Sequence, residues 1–117
     1  MSISLQPARK DFLKTVQGDT YPAFRLVATG TTAVLDRVTL TIQPKDSETD
    51  ALVFDSDISG ITINDDTAGA WDYTIEEISA TDTGSLDVGF YEYSIKVYYG
   101  AGVVRTHFQG EWEITES

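Results

Sequence analysis

The stretch from Gly89 to Ile114 constrains this chain more than any other. In its first arm, Tyr91, Tyr93, Ile95, Val97 and Tyr99 share one parity, while Glu92, Ser94 and Lys96 take the other. Successive side chains of a strand point to opposite faces, so this is a strand with one buried face. The second arm repeats the pattern. Val104, Thr106, Phe108, Gly110, Trp112 and Ile114 alternate with Arg105, His107, Gln109, Glu111 and Glu113. Gly100-Ala101-Gly102 lies between the arms. A two-residue type II′ turn at Gly100-Ala101 puts glycine at the first central position, where the turn needs it. That turn predicts the pairs Tyr99–Gly102, Val97–Val104, Ile95–Thr106, Tyr93–Phe108 and Tyr91–Gly110, with Lys96 opposite Arg105. A slip by one residue would carry one arm's apolar set into water.

The rest of the chain supplies what such a hairpin must pack against. Residues 1–11 show no period and read as an extended amino-terminal arm, with a single domain over 12–117. Arg9 to Val16 reads better as a short strand than as a helical turn, because Gly18-Asp19-Thr20 follows as a turn. Phe24, Leu26 and Ala28 form one face of a strand that begins after Pro22. Val38, Leu40 and Ile42 alternate with threonines up to Pro44. Leu52 with Phe54, Ile61 with Ile63, and Trp71 with Tyr73 and Ile75 make further short strands. Ser79 to Val88 has room for one helical turn, with Leu86 tucked beneath it. About seven to eight strands with turns every 8–12 residues or so read as an all-β fold. The expectation is an antiparallel β-sandwich of immunoglobulin-like topology with a long C-terminal hairpin. A small open barrel is the alternative.

Composition narrows the function. The chain has 117 residues, no cysteine and a net charge of −11. Without cysteine there is no disulfide, thiolate metal site or cysteine nucleophile, which fits a reducing cytosol. No apolar run approaches the roughly 18 to 20 residues of a membrane helix, and the start lacks the pattern of a signal peptide. Residues 1–45 carry +3, whereas residues 46–117 carry −14. Nucleic acid is therefore a poor partner for most of the surface. Arg9, Lys10 and Lys14 could instead dock on an acidic protein surface.

Candidate sites are few. His107, the one histidine, falls on the outward parity and has no base or ligand set converging on it. Asp55, Asp57, Asp65 and Asp66 sit in loops after short strands. They could hold calcium weakly if the loops met, although turn chemistry accounts for them equally well. Trp71, Trp112, Tyr91 and Tyr93 would suit a sugar platform, but they share the buried parity. Tyr98 is the outward exception, and Phe90 is outward beside Glu111. No phosphate loop, nucleophile elbow or zinc-protease motif occurs. Glu76 and Glu77 point to opposite strand faces and cannot flank one bond. The expectation is a protein that is not an enzyme and needs no cofactor.

Three stretches carry a resemblance. They are Gly18-Asp19-Thr20 before an alternating strand; Ser79 to Ile95, with Leu86 followed by Gly89-Phe90-Tyr91-Glu92-Tyr93; and Arg105-Thr106 followed by Gly110. Together they resemble small β-sandwich structural domains of tailed bacteriophages and prophages, such as the amino-terminal domain of phage upper baseplate proteins. The motifs are structural: Gly89 starts a strand after a tight turn, and Gly110 leaves room opposite Tyr91. The resemblance implies a virion structural protein of the tail, neck or baseplate. It would be made in the bacterial host cytoplasm and would contact other virion proteins, as a homo-oligomer in the particle, with no nucleic acid or membrane partner. The sequence stops at the sandwich, without a downstream fibre, which suits an adaptor or a capsid-surface cement protein. A carbohydrate-binding module for host attachment is the reading from a different class.

Overall fold

The computed structural model describes residues 8–100 and 102–116. Nine strands and one short helix follow in order: β1 (Ala8–Arg9), β2 (Thr15–Val16), β3 (Phe24–Thr29), β4 (Leu35–Pro44), β5 (Leu52–Asp55), β6 (Ile61–Asp65), β7 (Ala70–Ile75), α1 (Ala80–Gly84), β8 (Gly89–Tyr99) and β9 (Val103–Thr115). They form two sheets. The larger runs β1-β9-β8-β4-β5, with β2 also on β9, and the smaller runs β3-β7-β6. The smaller sheet fills the places of strands B, E and D of an immunoglobulin sandwich. The larger fills C, F and G, with β5 beyond C. The chain is thus an all-β sandwich with immunoglobulin-like order, and its nine described strands are one or two more than the seven to eight expected, β1 and β2 being only two residues each.

Alternation builds the core as the sequence predicts. Val38, Leu40 and Ile42 of β4, Ile95 and Val97 of β8, and Trp112 and Ile114 of β9 are fully buried. They face Trp71, Tyr73 and Ile75 of β7, also fully buried. Trp112 finds acceptors for its indole N–H in the Leu13 carbonyl (3.1 Å) and Thr15 Oγ1 (2.9 Å). Among the described residues, no buried side-chain nitrogen or oxygen lacks a partner, so the core carries little desolvation penalty.

The α1 turn is capped by Ser79, whose hydroxyl accepts the Asp82 amide at 3.1 Å. Thr83 is buried and donates to the Asp19 carbonyl at 2.6 Å, which ties the helix to the loop before β3. Leu86 is buried beneath it. Tyr91 then donates its hydroxyl to the Asp87 carbonyl four residues upstream, at 2.6 Å. This is the tyrosine corner that closes the turn into the sixth strand of immunoglobulin-like sandwiches. Burial pushes the Tyr91 hydroxyl pKa up, so it remains a donor across the physiological range.

The long hairpin forms, but its register differs from the one the turn predicts. Tyr99 pairs with Val103, Val97 with Arg105 and Lys96 with Thr106. The connection is therefore a three-residue loop, with Gly100 and Gly102 both at positive φ. The register shifts again between Ile95 and Lys96, so that Ile95 meets Phe108, Tyr93 meets Gly110 and Tyr91 meets Trp112. The predicted like-charge pair of Lys96 and Arg105 does not form. The second shift is a β-bulge, which places two residues of one strand opposite one of the other and turns the extra side chain. Here that side chain is His107. Contrary to the outward position predicted from parity, it is buried at 6% exposure.

Candidate interaction surface

The amino-terminal segment is part of the sandwich. Ala8 and Arg9 pair in parallel with Phe108 and Gln109, and Thr15 and Val16 with Ile114 and Thr115. Between them, Lys10 donates its amide to the Gln109 carbonyl at 3.0 Å, and Phe12 donates to Glu111 at 2.8 Å. This approach depends on Gly110. A Cβ there would sit 2.2 Å from the Lys10 carbonyl oxygen, so only glycine admits the segment. The clearance predicted for Gly110 is thus opposite Tyr93, not Tyr91, and backbone fills it. Tyr93 donates its hydroxyl to the same Lys10 carbonyl, and Tyr21 accepts the Leu13 amide at 3.1 Å. Burial raises the Tyr93 hydroxyl to about 12. Of the expected arm over 1–11, residues 8–11 lie on β9, and residues 1–7 fall outside the described residues.

Phe12 locks the segment down. Its ring stacks on Tyr93 (4.0 Å between centroids) and Tyr21 (4.9 Å), and meets Trp112 edge-on at 5.4 Å. Nothing in the sequence distinguishes Phe12 from Leu13, yet Phe12 is buried and Leu13 is 70% exposed. The predicted contact residues stand on the outer side of this segment. Arg9 reaches Asp11 (3.4 Å) and Glu111 (3.9 Å), Lys14 reaches Glu113 (3.6 Å), and Lys45 also reaches Glu111 (3.1 Å). Lys10 is exposed. Part of the positive charge of the first 45 residues is therefore balanced by β9 of the same chain. Exposed ion pairs of this kind add little stability and leave their side chains accessible. Tyr98 is half-buried beneath the Arg37 guanidinium, 5.0 Å from its ring centre.

The four aspartates do not converge. Arg37 Nε lies 3.0 Å from both Asp55 carboxylate oxygens and 3.7 Å from Asp57. Asp55 is buried, and its bonds to Arg37 hold its pKa below the usual carboxylate value. A guanidinium thus occupies the seat a cation would take. Asp65 instead accepts the Thr67 amide at 2.9 Å, in a loop at the opposite end of β6. Among the described residues, no three histidine, aspartate or glutamate side chains gather. Trp71, Trp112, Tyr91 and Tyr93 are buried in the core and offer no exposed platform.

His107 packs against Tyr73 and Phe108, and its Nδ1 is hydrogen-bonded to the Tyr73 hydroxyl. Burial lowers its pKa to about 4, so it is neutral at physiological pH. Largely buried and bonded to Tyr73, it packs as part of the core.

On the opposite flank of the amino-terminal segment the two sheets part. An apolar groove of about 270 Å³ opens there, lined by Phe12, Tyr21, Phe24, Leu26, Ile95 and Phe108. One wall is the segment on β9 and the other is β3. Among the described residues nothing pairs with the outer edge of β3, where strand A of an immunoglobulin sandwich would lie. The other edges are blunted. β1 and β2 are two residues each, β5 has four and closes into the Asp55–Ser59 turn, and β6 carries a register shift next to Asn64 and Asp65. β3 pairs with β7 over six residues without a shift. A straight edge of this length is a template for another strand. Local alternation located β3, but no local signal reveals which strand ends up at an edge.

No family model matches the chain, and no curated protein matches it either.

Proposed function

We propose that the protein is a non-enzymatic virion structural component of a tailed phage or prophage that acts through protein–protein contact. A place in the tail, neck or baseplate is favoured. The observation that carries the contact reading is the unblunted β3 edge beside an apolar groove. Proteins that work alone blunt such edges, and assembly modules use them. The phage assignment rests on the sequence resemblance, and the Tyr91 corner and the Gly110 clearance give its motifs a physical role. Those motifs specify a fold, and the contact role is inferred from the surface.

The experiment is quantitative mass spectrometry of purified particles from a host carrying the gene. A fixed number of copies per particle, retained after high-salt washing, supports the reading. Particles that assemble, attach and infect normally while containing none of the chain overturn it.

A further inference from the structure

We propose that β3 is a homodimer seam, in which the free edge of one copy pairs antiparallel with the same edge of a second copy about a two-fold axis at Val27. This deepens the contact reading by naming a second copy as the partner of that edge.

The ladder to β7 shows which groups are available. Glu76 donates its amide to the Gly60 carbonyl on the β6 side, at 2.9 Å. Amide direction alternates along an antiparallel strand. Ile75, Tyr73 and Trp71 therefore address β3, and their partners Phe24, Leu26 and Ala28 are spent. Arg25, Val27 and Thr29 turn their N–H and C=O groups toward the open edge. In the two-fold register centred on Val27 these three face Thr29, Val27 and Arg25 of the second copy. Each pair exchanges both bonds, about six in all.

The side chains suit that register. On the inner face it sets Leu26 against the second copy's Ala28, and Phe24 against its Gly30, a large residue against a small one each time. On the outer face Val27 meets Val27, and Arg25 meets Thr29 instead of another arginine. A register centred on Leu26 would force two leucines together. Charge is compensated within each copy, because Arg25 is held by its own Asp72, with Nε 2.7 Å from Oδ1. Val27 is 55% exposed, so its outer surface is available. The half-buried Phe24 and Leu26 line the groove, so two grooves abut along the seam. This geometry is isologous and closes at two copies.

The test uses the full chain, which has no native cysteine. Sedimentation over a wide concentration range should show a reversible dimer. Val27→Cys should cross-link rapidly under oxidising conditions, since facing residues of a bonded pair lie about 5.5 Å apart at Cα. Val53→Cys, equally exposed on β5 at 54%, should not. Val27→Pro removes an edge N–H without touching the β7 ladder, and should weaken association roughly tenfold or more while the melting curve stays cooperative. Val27→Lys, which opposes two ammonium groups at the axis, is the second variant should proline disturb the strand. A monomer at every concentration overturns the proposal, as do equal cross-linking rates at the two sites. It is overturned too if the Val27 amide is protected from exchange in dilute monomer, because the edge is then already covered within one chain. Particle content is measured separately, so a monomeric result leaves the virion reading standing.

Discussion

The two flanks of the groove are built from similar strands and treated in opposite ways. β9 is covered along its outer edge by the chain's own residues 8–17, bonded through Lys10, Phe12 and Gln17 amides. β3, across the groove, pairs with β7 on one side, and its outer edge has no partner among the described residues. The difference lies in what each strand offers an approaching chain. β9 contains Gly110, which lets a backbone come close, and Tyr93 and Trp112 present polar atoms that hold it there. β3 has no glycine within it and offers half-buried Phe24 and Leu26 instead. One edge is sealed by specific polar contacts, while the other is an apolar seam with free amides.

The sharpest way to break this contrast is Phe12→Ala. The ring is the anchor of the sealed edge and packs against Tyr21, Tyr93, Phe24 and Trp112. Its loss should cost about 3–5 kcal/mol in denaturant unfolding. It should also release the Lys10 and Phe12 amides to exchange.

Acid should act next most strongly, through His107 at the bulge between the flanks. Its folded pKa, about 4, lies below the roughly 6.5 of an unfolded histidine. Between those values the unfolded chain binds the proton and the folded chain does not. Stability is therefore full above about pH 6.5 and falls as pH drops toward 4, by about 3 kcal/mol in total. His107→Gln should flatten that part of the stability–pH curve.

Gly110→Ala tests the clearance alone. The added methyl would meet backbone at the Lys10 carbonyl, which cannot swing aside. A loss of about 1–3 kcal/mol is expected, with the amino-terminal segment loosened before the core. On the open side the expected effect is the smallest. Val27→Thr keeps β-branching at an exposed position and should change monomer stability by less than about 0.5 kcal/mol. Equal losses from Val27→Thr and Gly110→Ala would erase the distinction between the edges.

Much of this fold was legible in the sequence because period-2 alternation reports burial directly. β8 followed its parity from Tyr91 to Val97, and the buried sets of β4 and β7 were correctly picked out. The hairpin register was not legible. Val104, Thr106 and Phe108 continue the pattern of Gly110, Trp112 and Ile114, but the bulge at His107 interrupts the face without a local signature. Phe12 was hidden because a single aromatic among Arg9, Lys10, Asp11 and Lys14 has no period. The open edge was hidden for a deeper reason: whether a strand is central or terminal depends on the whole chain's topology. The aspartates looked like ligands because composition does not show that Arg37 folds back between Asp55 and Asp57.

Residue-resolved amide exchange of the full chain, followed from dilute to concentrated solution, tests the contrast most directly. Lys10, Phe12 and Gln17 should be protected at every concentration. Arg25, Val27 and Thr29 should exchange freely when dilute and become protected together as copies associate. Protection of both sets in dilute monomer, or free exchange of Arg25, Val27 and Thr29 at every concentration, would contradict it.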